Sequence, residues 1–370
     1  LQISSKQTDV QGTGSADVKI AVKGGTFNGT ISGETDGTIA ISGGKFKVKV
    51  DDKYFADKLA CSATPNADGY YTVKDHPIIS AGISIVEDMS FRIMVEEGYE
   101  NGSLKYYYIG VNGRVEGEGT IGTDTQGNSI FRIYNVNPQR ADLIYVIQYY
   151  DADGNAIGAP KEISVLTYFE GFYNMEAGKN EDVEARKTFI ANFLEYCASA
   201  MERSYADFPK ETLDGKTWQY RADAVRAMMT RLGLKVADYE FKGNLGRYYN
   251  DNAKGNITDR GIVFGSTFRA YYEISKDIID SGCRVFRQGT DVTDKLVLEN
   301  GAYRFYFELA PYEFKDSLTI TIYNGTTKVC EYSSPLANTL KAISESTNVS
   351  ASKLAKAAFN YFVALQNYEG

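Results

Sequence analysis

Two long stretches of this chain read as copies of one another, and a duplicated unit of strands followed by a helix admits few folds. "SFRIMVE" (90–96) matches "TFRAYYE" (267–273), with Phe91 on Phe268. "IFRIYNVNPQRADLIYVI" (130–147) matches "YRFYFELAPYEFKDSLTITI" (303–322), with Pro138 on Pro311 and Asp142 on Asp316. Val165 then falls on Val329 and Tyr168 on Tyr332, and from there the two copies are expected to run in step without a gap. Ile190, Leu194, Cys197 and Met201 meet Leu354, Ala358, Tyr361 and Leu365. Steps of four, three and four mark one apolar face of an amphipathic helix. Each copy therefore predicts about six short strands and a packed helix, a β-sandwich of immunoglobulin-like shape.

A shorter repeat precedes them. Ile20-Ala-Val-Lys-Gly-Gly-Thr-Phe27 returns as Ile39-Ala-Ile-Ser-Gly-Gly-Lys-Phe46, each residue nineteen positions on. Strand units this short cannot bury a face alone and must stack, as in a β-solenoid. A pair of ordinary hairpins with Gly-rich turns is the alternative. The expected fold class is mainly β with helices (α+β). A short β-solenoid-like part spans 1–76, and a first sandwich-plus-helix module spans 77–205. A helical and loop connector follows at 206–258, with its helix near Trp218–Leu232, and a second module occupies 259–370.

"ISGGKFKVKVDDKYFADKLACSATPNADGYYTVKDHP" (41–77) resembles a segment of modular cell-surface proteins of gut Gram-positive anaerobes. In those proteins I-S-G-G-x-F coils run into an aromatic-rich cap and a D-G-x-Y-T-V strand. Asp68-Gly69-Tyr70-Tyr71-Thr72-Val73 fits the strand, while Lys58-Leu59 departs from the cap. "LTITIYNGTTKVCEYSSPLANTLKAI" (318–343) is similar to a hairpin that precedes a paired helical tail in the same proteins. The resemblance implies an extracellular, surface-displayed protein and brings no catalytic residues with it.

Forty basic against 48 acidic residues leave a net charge of −8, which argues against nucleic acid as a partner. No stretch approaches the ~20 apolar residues of a membrane span. Cys61, Cys197, Cys283 and Cys330 form no zinc-type spacing. Whether Cys283 and Cys330 pair is open, because spacing cannot establish the geometry a disulfide needs. His76 is the single histidine, so triads and multi-histidine metal sites are excluded. A paired-carboxylate enzyme stays open on composition, but nothing in the chain marks a catalytic pair and no enzyme is expected. An intramolecular Lys–Asn isopeptide bond would need a buried lysine, which sequence cannot reveal.

Two candidate sites remain. In "DADGNAIGAPKE" (151–162), Asp151, Asp153, Asn155 and Glu162 occupy positions 1, 3, 5 and 12 of a calcium loop. Ala156 stands where the loop needs its turn glycine, and the flanks read as strands, so a hairpin competes with Ca²⁺. No other cofactor is implied. The Tyr106-Tyr107-Tyr108, Tyr149-Tyr150, Tyr248-Tyr249 and Tyr271-Tyr272 clusters each place a ring outward if they lie on a strand, and Tyr248, Tyr249, Tyr106 and Tyr108 are the candidate binding residues. Exposed tyrosines can anchor a protein partner or stack on sugar rings. The expectation is a monomeric adhesion protein binding a host protein, such as an immunoglobulin. A carbohydrate binder and a structural spacer are the alternatives.

Overall fold

A computed structural model describes residues 10–12, 20–33, 39–55, 59–62, 65–85, 88–179, 181–208, 211–213, 215–241, 249–251 and 255–369. The fold is mixed α+β, with several four-stranded sheets and, among the described residues, six α-helices. The described chain divides into two compact units, 1–82 with 91–133 and 143–164, and 83–90 with 134–142 and 165–370.

The first unit begins with the nineteen-residue repeat. Strands β1 (Val10–Gly12) and β3 (Ile31–Gly33) pair in parallel, as do β2 (Ile20–Phe27) and β4 (Ile39–Phe46). Ile20 lies opposite Ile39 and Phe27 opposite Phe46, so both ends of the repeat sit beside their own copies, with register shifts between Val22 and Thr26. Hairpin strands pair antiparallel, so the hairpin alternative fails here. An irregularity at each Gly-Gly resets the alternation, so that Val22 and Phe27, and Ile41 and Phe46, are buried together although five residues apart. Ile39 is buried too, and the two Phe rings stack at 5.2 Å. A buried Phe contributes roughly 1.5–3 kcal/mol, so the doubled phenylalanine is a large part of this small core. Gly43 is required by close approach: a Cβ there would come within 2.5 Å of the Lys23 carbonyl oxygen. Antiparallel β5 (Leu59–Cys61) and β6 (Tyr71–Asp75) complete the sheet in the order β2-β4-β6-β5.

Eight strands follow: β7 (Ile78–Ser84), β8 (Ser90–Val95), β9 (Ser103–Gly110), β10 (Gly113–Thr120), β11 (Gly122–Thr123), β12 (Ser129–Ile133), β13 (Tyr145–Tyr150) and β14 (Ala156–Ile163). They form two four-stranded sheets, β11-β12-β8-β7 and β10-β9-β13-β14. Phe91 of the first meets Tyr145 of the second edge-on at 5.0 Å, and Phe131 meets Tyr106 at 6.2 Å. The core therefore lies where the apolar alternates of the two sheets meet.

The second unit contains α1 (Val165–Asn174), α2 (Val183–Asp207), the short ribbon β15 (Thr212–Leu213) and β16 (Lys216–Thr217), and α3 (Trp218–Arg231). Next come β17 (Tyr249–Asp251), β18 (Ile257–Phe264), β19 (Phe268–Ile274), α4 (Lys276–Asp280), β20 (Arg284–Arg287) and β21 (Thr290–Asp291). The chain ends with β22 (Val297–Glu299), β23 (Ala302–Leu309), β24 (Ser317–Asn324), β25 (Thr327–Pro335), α5 (Leu336–Ser344) and α6 (Val349–Glu369). The sheets run β22-β23-β19-β18 and β21-β20-β24-β25, with β17 added beyond β25.

These orders repeat those of the first copy strand for strand, with β7 matching β18 and each later strand matching in turn. Pro138 and Pro311 each open a 3-10 turn at the same point of the path. The helical part corrects the sequence alignment. Val165 opens α1, whereas Val329 lies inside β25, so the copies do not run in step from there. Each copy ends in a pair of helices, α1–α2 and α5–α6. The longer α2, capped by Asp182 through the Glu184 and Ala185 amides, packs against α6. Phe193 meets Tyr361 at 5.1 Å, and Tyr196 stacks on Tyr361 at 5.5 Å. Helix α2, read from the sequence as the end of the first module, is thus built into the second unit.

Candidate binding surface

Strand β9 reads Ser-Leu-Lys-Tyr-Tyr-Tyr-Ile-Gly, and a strand turns successive side chains to opposite faces. Leu104, Tyr106 and Tyr108 fall on the core side: Leu104 is fully buried, and Tyr108 lies 4.7 Å from the Tyr145 ring. Burial pushes the Tyr106 hydroxyl pKa up. Gly117 and Gly119 lie opposite Tyr106 and Leu104 on β10, where a Cβ would strike the Tyr106 and Phe131 rings respectively. Glycine is what lets those rings lie over the strand. Tyr106 and Tyr108, chosen from the sequence, therefore lean into the sheet-to-sheet core.

The opposite face carries Lys105, Tyr107 and Ile109, with Arg114, Glu116 and Glu118 beside them on β10. Val146 pairs with Tyr107 and Gln148 with Lys105, so both share that face, as does Tyr150 by alternation. Together with Pro160 they line a groove of about 650 Å³. The Arg114 guanidinium lies 3.7 Å from the Tyr107 ring centroid, and Lys105 Nζ lies 4.9 Å from that of Tyr150. Arg114 also pairs with Glu116 at 2.6 Å and Lys105 with Glu118 at 3.6 Å. Tyr107 and Tyr150 lie in two of the tyrosine clusters read from the sequence, and parity singles them out: Lys105 shares a face with Tyr107, and Gln148 with Tyr150.

A bulge shapes the groove's far wall. Ile147 pairs with Lys161 but Tyr149 with Ile157, so β14 carries extra residues there. The Gln148 amide donates to the Ile157 and Gly158 carbonyls at 3.1 and 3.2 Å, tying the bulge to β13. His76, 4% exposed, holds it from the other side. Its Nδ1 accepts from the Ile78 amide at 3.0 Å, so Nε2 carries the proton it donates to Ala159 O at 3.0 Å. Burial lowers the His76 pKa, so the neutral ring is the native form. The single histidine is a structural clamp. On β13, Tyr149 donates to Tyr99 O at 2.9 Å, and burial pushes its pKa up to about 12.

The proposed calcium loop is a hairpin turn. Asp151 Oδ1 accepts from the Asp153 and Asn155 amides, and Gly154 takes φ +82°. Asp124 does the same with the Gln126 and Asn128 amides, with Gly127 at φ +87°. Two D-x-x-G-N loops thus spend their carboxylates on their own backbone. Glu162 sits opposite Val146, well along β14 from the turn at Tyr150–Ala156, so the four proposed ligands are not brought together. Among the described residues, no group of three or more His, Cys, Asp and Glu side chains is placed to hold a metal ion.

Tyr248 lies outside the described residues, and the backbone of Tyr249 opens β17 opposite Ser333. All four cysteines are buried, and Cys283 and Cys330 form no disulfide with one another. No lysine is among the buried residues described, which leaves the isopeptide reading without its central group. No described helix is long and apolar enough to cross a membrane. No family model matches this chain, and no curated protein matches it.

Proposed function

We propose that this chain is a non-enzymatic part of an extracellular surface protein whose first strand-rich module binds a host protein. Within that reading, the β1–β4 segment is part of a β-solenoid stalk, supported by the parallel pairing of its strands and by Ile20 and Phe27 lying beside their own copies. The two modules are immunoglobulin-like sandwiches, because β7-β8-β12-β11 and β14-β13-β9-β10 follow the A-B-E-D and G-F-C-C′ strand orders.

The observation that carries the binding reading is the outward pair Tyr107 and Tyr150 in a groove on the β10-β9-β13-β14 sheet. Tyrosine flanked by arginine is the side-chain chemistry enriched at protein-binding hot spots. A cation already covers a face of each ring, at Arg114 and at Lys105, which takes away a flat platform for sugar stacking. A protein partner is therefore favoured over a glycan.

The test is a binding screen of the chain against secreted mucosal proteins, immunoglobulins included, beside a glycan array. A saturable protein hit should weaken at least tenfold in Tyr107→Ala/Tyr150→Ala, since hot-spot residues are worth about 2 kcal/mol or more each. A hit indifferent to that double change, or one confined to glycans, overturns the assignment.

A further inference from the structure

Strand β10 is an open sheet edge. Its eight residues pair with β9 from Gly113↔Gly110 to Thr120↔Ser103 without a register shift. Among the described residues β9 is its only strand partner, and most of β10 is exposed. Edge strands normally carry a device against further pairing: shortness, edge charge (lysine above all), proline, a bulge or an inward-pointing charge. Of these β10 carries only mixed-sign charge on its outward face. β10 has no proline and no bulge, and its core-side positions are Gly113, Val115, Gly117 and Gly119.

The second copy supplies an internal comparison. Its equivalent strand β21 pairs over two residues, Phe286↔Asp291 and Arg287↔Thr290, before the chain turns into the 3-10 turn Thr293–Lys295. One copy shortens this edge and the other leaves it long. The opposite edge of the first-copy sheet, β14, lies against β5.

We infer that β10 is a strand-addition site, taking up an extended peptide of the partner protein as a fifth strand beside β9. Alternate residues of an edge strand turn their N–H and C=O groups outward, so the backbone offers a ready ladder. The outward face of β10 sets the side-chain code. Arg114, Glu116 and Glu118 stand two residues apart in one row, their side chains 54%, 67% and 72% exposed. An antiparallel strand complementing that row reads basic-x-basic-x-acidic. Its x residues fall on the core side, beside Val115 and the glycines over which the Tyr106 and Phe131 rings lie, and are apolar. The site adjoins the Tyr107 groove, so this inference rests on the protein-binding reading and specifies how the partner docks.

The test uses the full chain and two labelled synthetic peptides, SVKVKVEVS and its charge mirror SVEVEVKVS, followed by fluorescence anisotropy. The wild-type chain should prefer the first by about tenfold, the sum of several cross-strand charge pairs. Arg114→Glu/Glu116→Lys/Glu118→Lys should invert that preference. Amide exchange should slow within 114–120 in the complex. Failure of both peptides to bind at about 1 mM sinks the inference, as does a preference that does not invert or protection that maps elsewhere. A mucosal-protein hit that depends on Tyr107 and Tyr150 while both peptides stay unbound leaves the binding reading standing and removes only the strand addition. Peptide binding with no hit on the panel does the reverse.

Discussion

Removing the Asp142 carboxylate should cost the second unit far more than an ordinary surface change. Arg221 is 1% exposed and lies within α3. Its Nε donates to Asp142 Oδ2 at 2.8 Å, its Nη2 to the other Asp142 oxygen and to Gln139 O, and its guanidinium lies 4.7 Å from the Trp218 ring centroid. Asp142→Ala leaves that cation buried with one carbonyl partner, and breaking a buried pair in this way costs about 3–5 kcal/mol. With a urea slope of about 2–3 kcal/mol per molar for a unit of this size, the midpoint should fall by roughly 1–2 M. Trp218 is the single tryptophan and lies beside the pair, so its fluorescence reports this unit directly. Asp142→Leu/Arg221→Met should recover to within about 1–2 kcal/mol of wild type, because neither charge is left uncompensated. A midpoint unchanged by Asp142→Ala, or a double variant no better than the single, would refute the argument that desolvated charge dominates here.

Two further outcomes follow from the first unit. Gly43→Ala should destabilise it by about 1–3 kcal/mol by forcing β2 and β4 apart, whereas Gly24→Ala, which meets nothing within 4 Å, should be near neutral. Thermal unfolding followed by far-UV circular dichroism separates them, and equal losses would contradict the close-approach account. For His76, burial lowers the folded pKa below the ordinary 6.5, so between those two values the unfolded chain binds more protons than the native one. Stability of this unit should therefore be complete above pH ~6.5 and decline as pH falls towards the folded pKa. Lys161 adds to the lowering while Asp52 opposes it. Replacing His76 with Gln should flatten that part of the pH profile, and an unchanged slope would show that the clamp is not its source.

Much of the architecture was legible in the sequence because it is written as repetition. The nineteen-residue copy fixed a parallel register that pairs Phe27 with Phe46, and the matched Pro138 and Pro311 mark the same turn in both modules. The site was less legible. A Tyr-Tyr-Tyr run has two possible phases, and Tyr106 and Tyr108 belong to the one that faces the core. The phase was recoverable from Leu104 and Lys105, but the consequence of Gly117 and Gly119 was not. Glycine carries no signal of which ring will cross it.

Sequence alone therefore determined the local and repeating features: strand alternation, the Asp-Gly hairpin turn, the apolar face of the long helices and the doubled order of elements. Those depend on residues within a few positions, or on a second copy of the same text. Tertiary structure alone decided which surfaces the helices bury, that His76 clamps a bulge 83 residues away, and that Arg221 meets Asp142 across 79 residues. It also decided which face of β9 turns outward and which leans into the core. Such pairings are set by the packing of whole sheets and helices, where burial and the desolvation of charge outweigh any local preference.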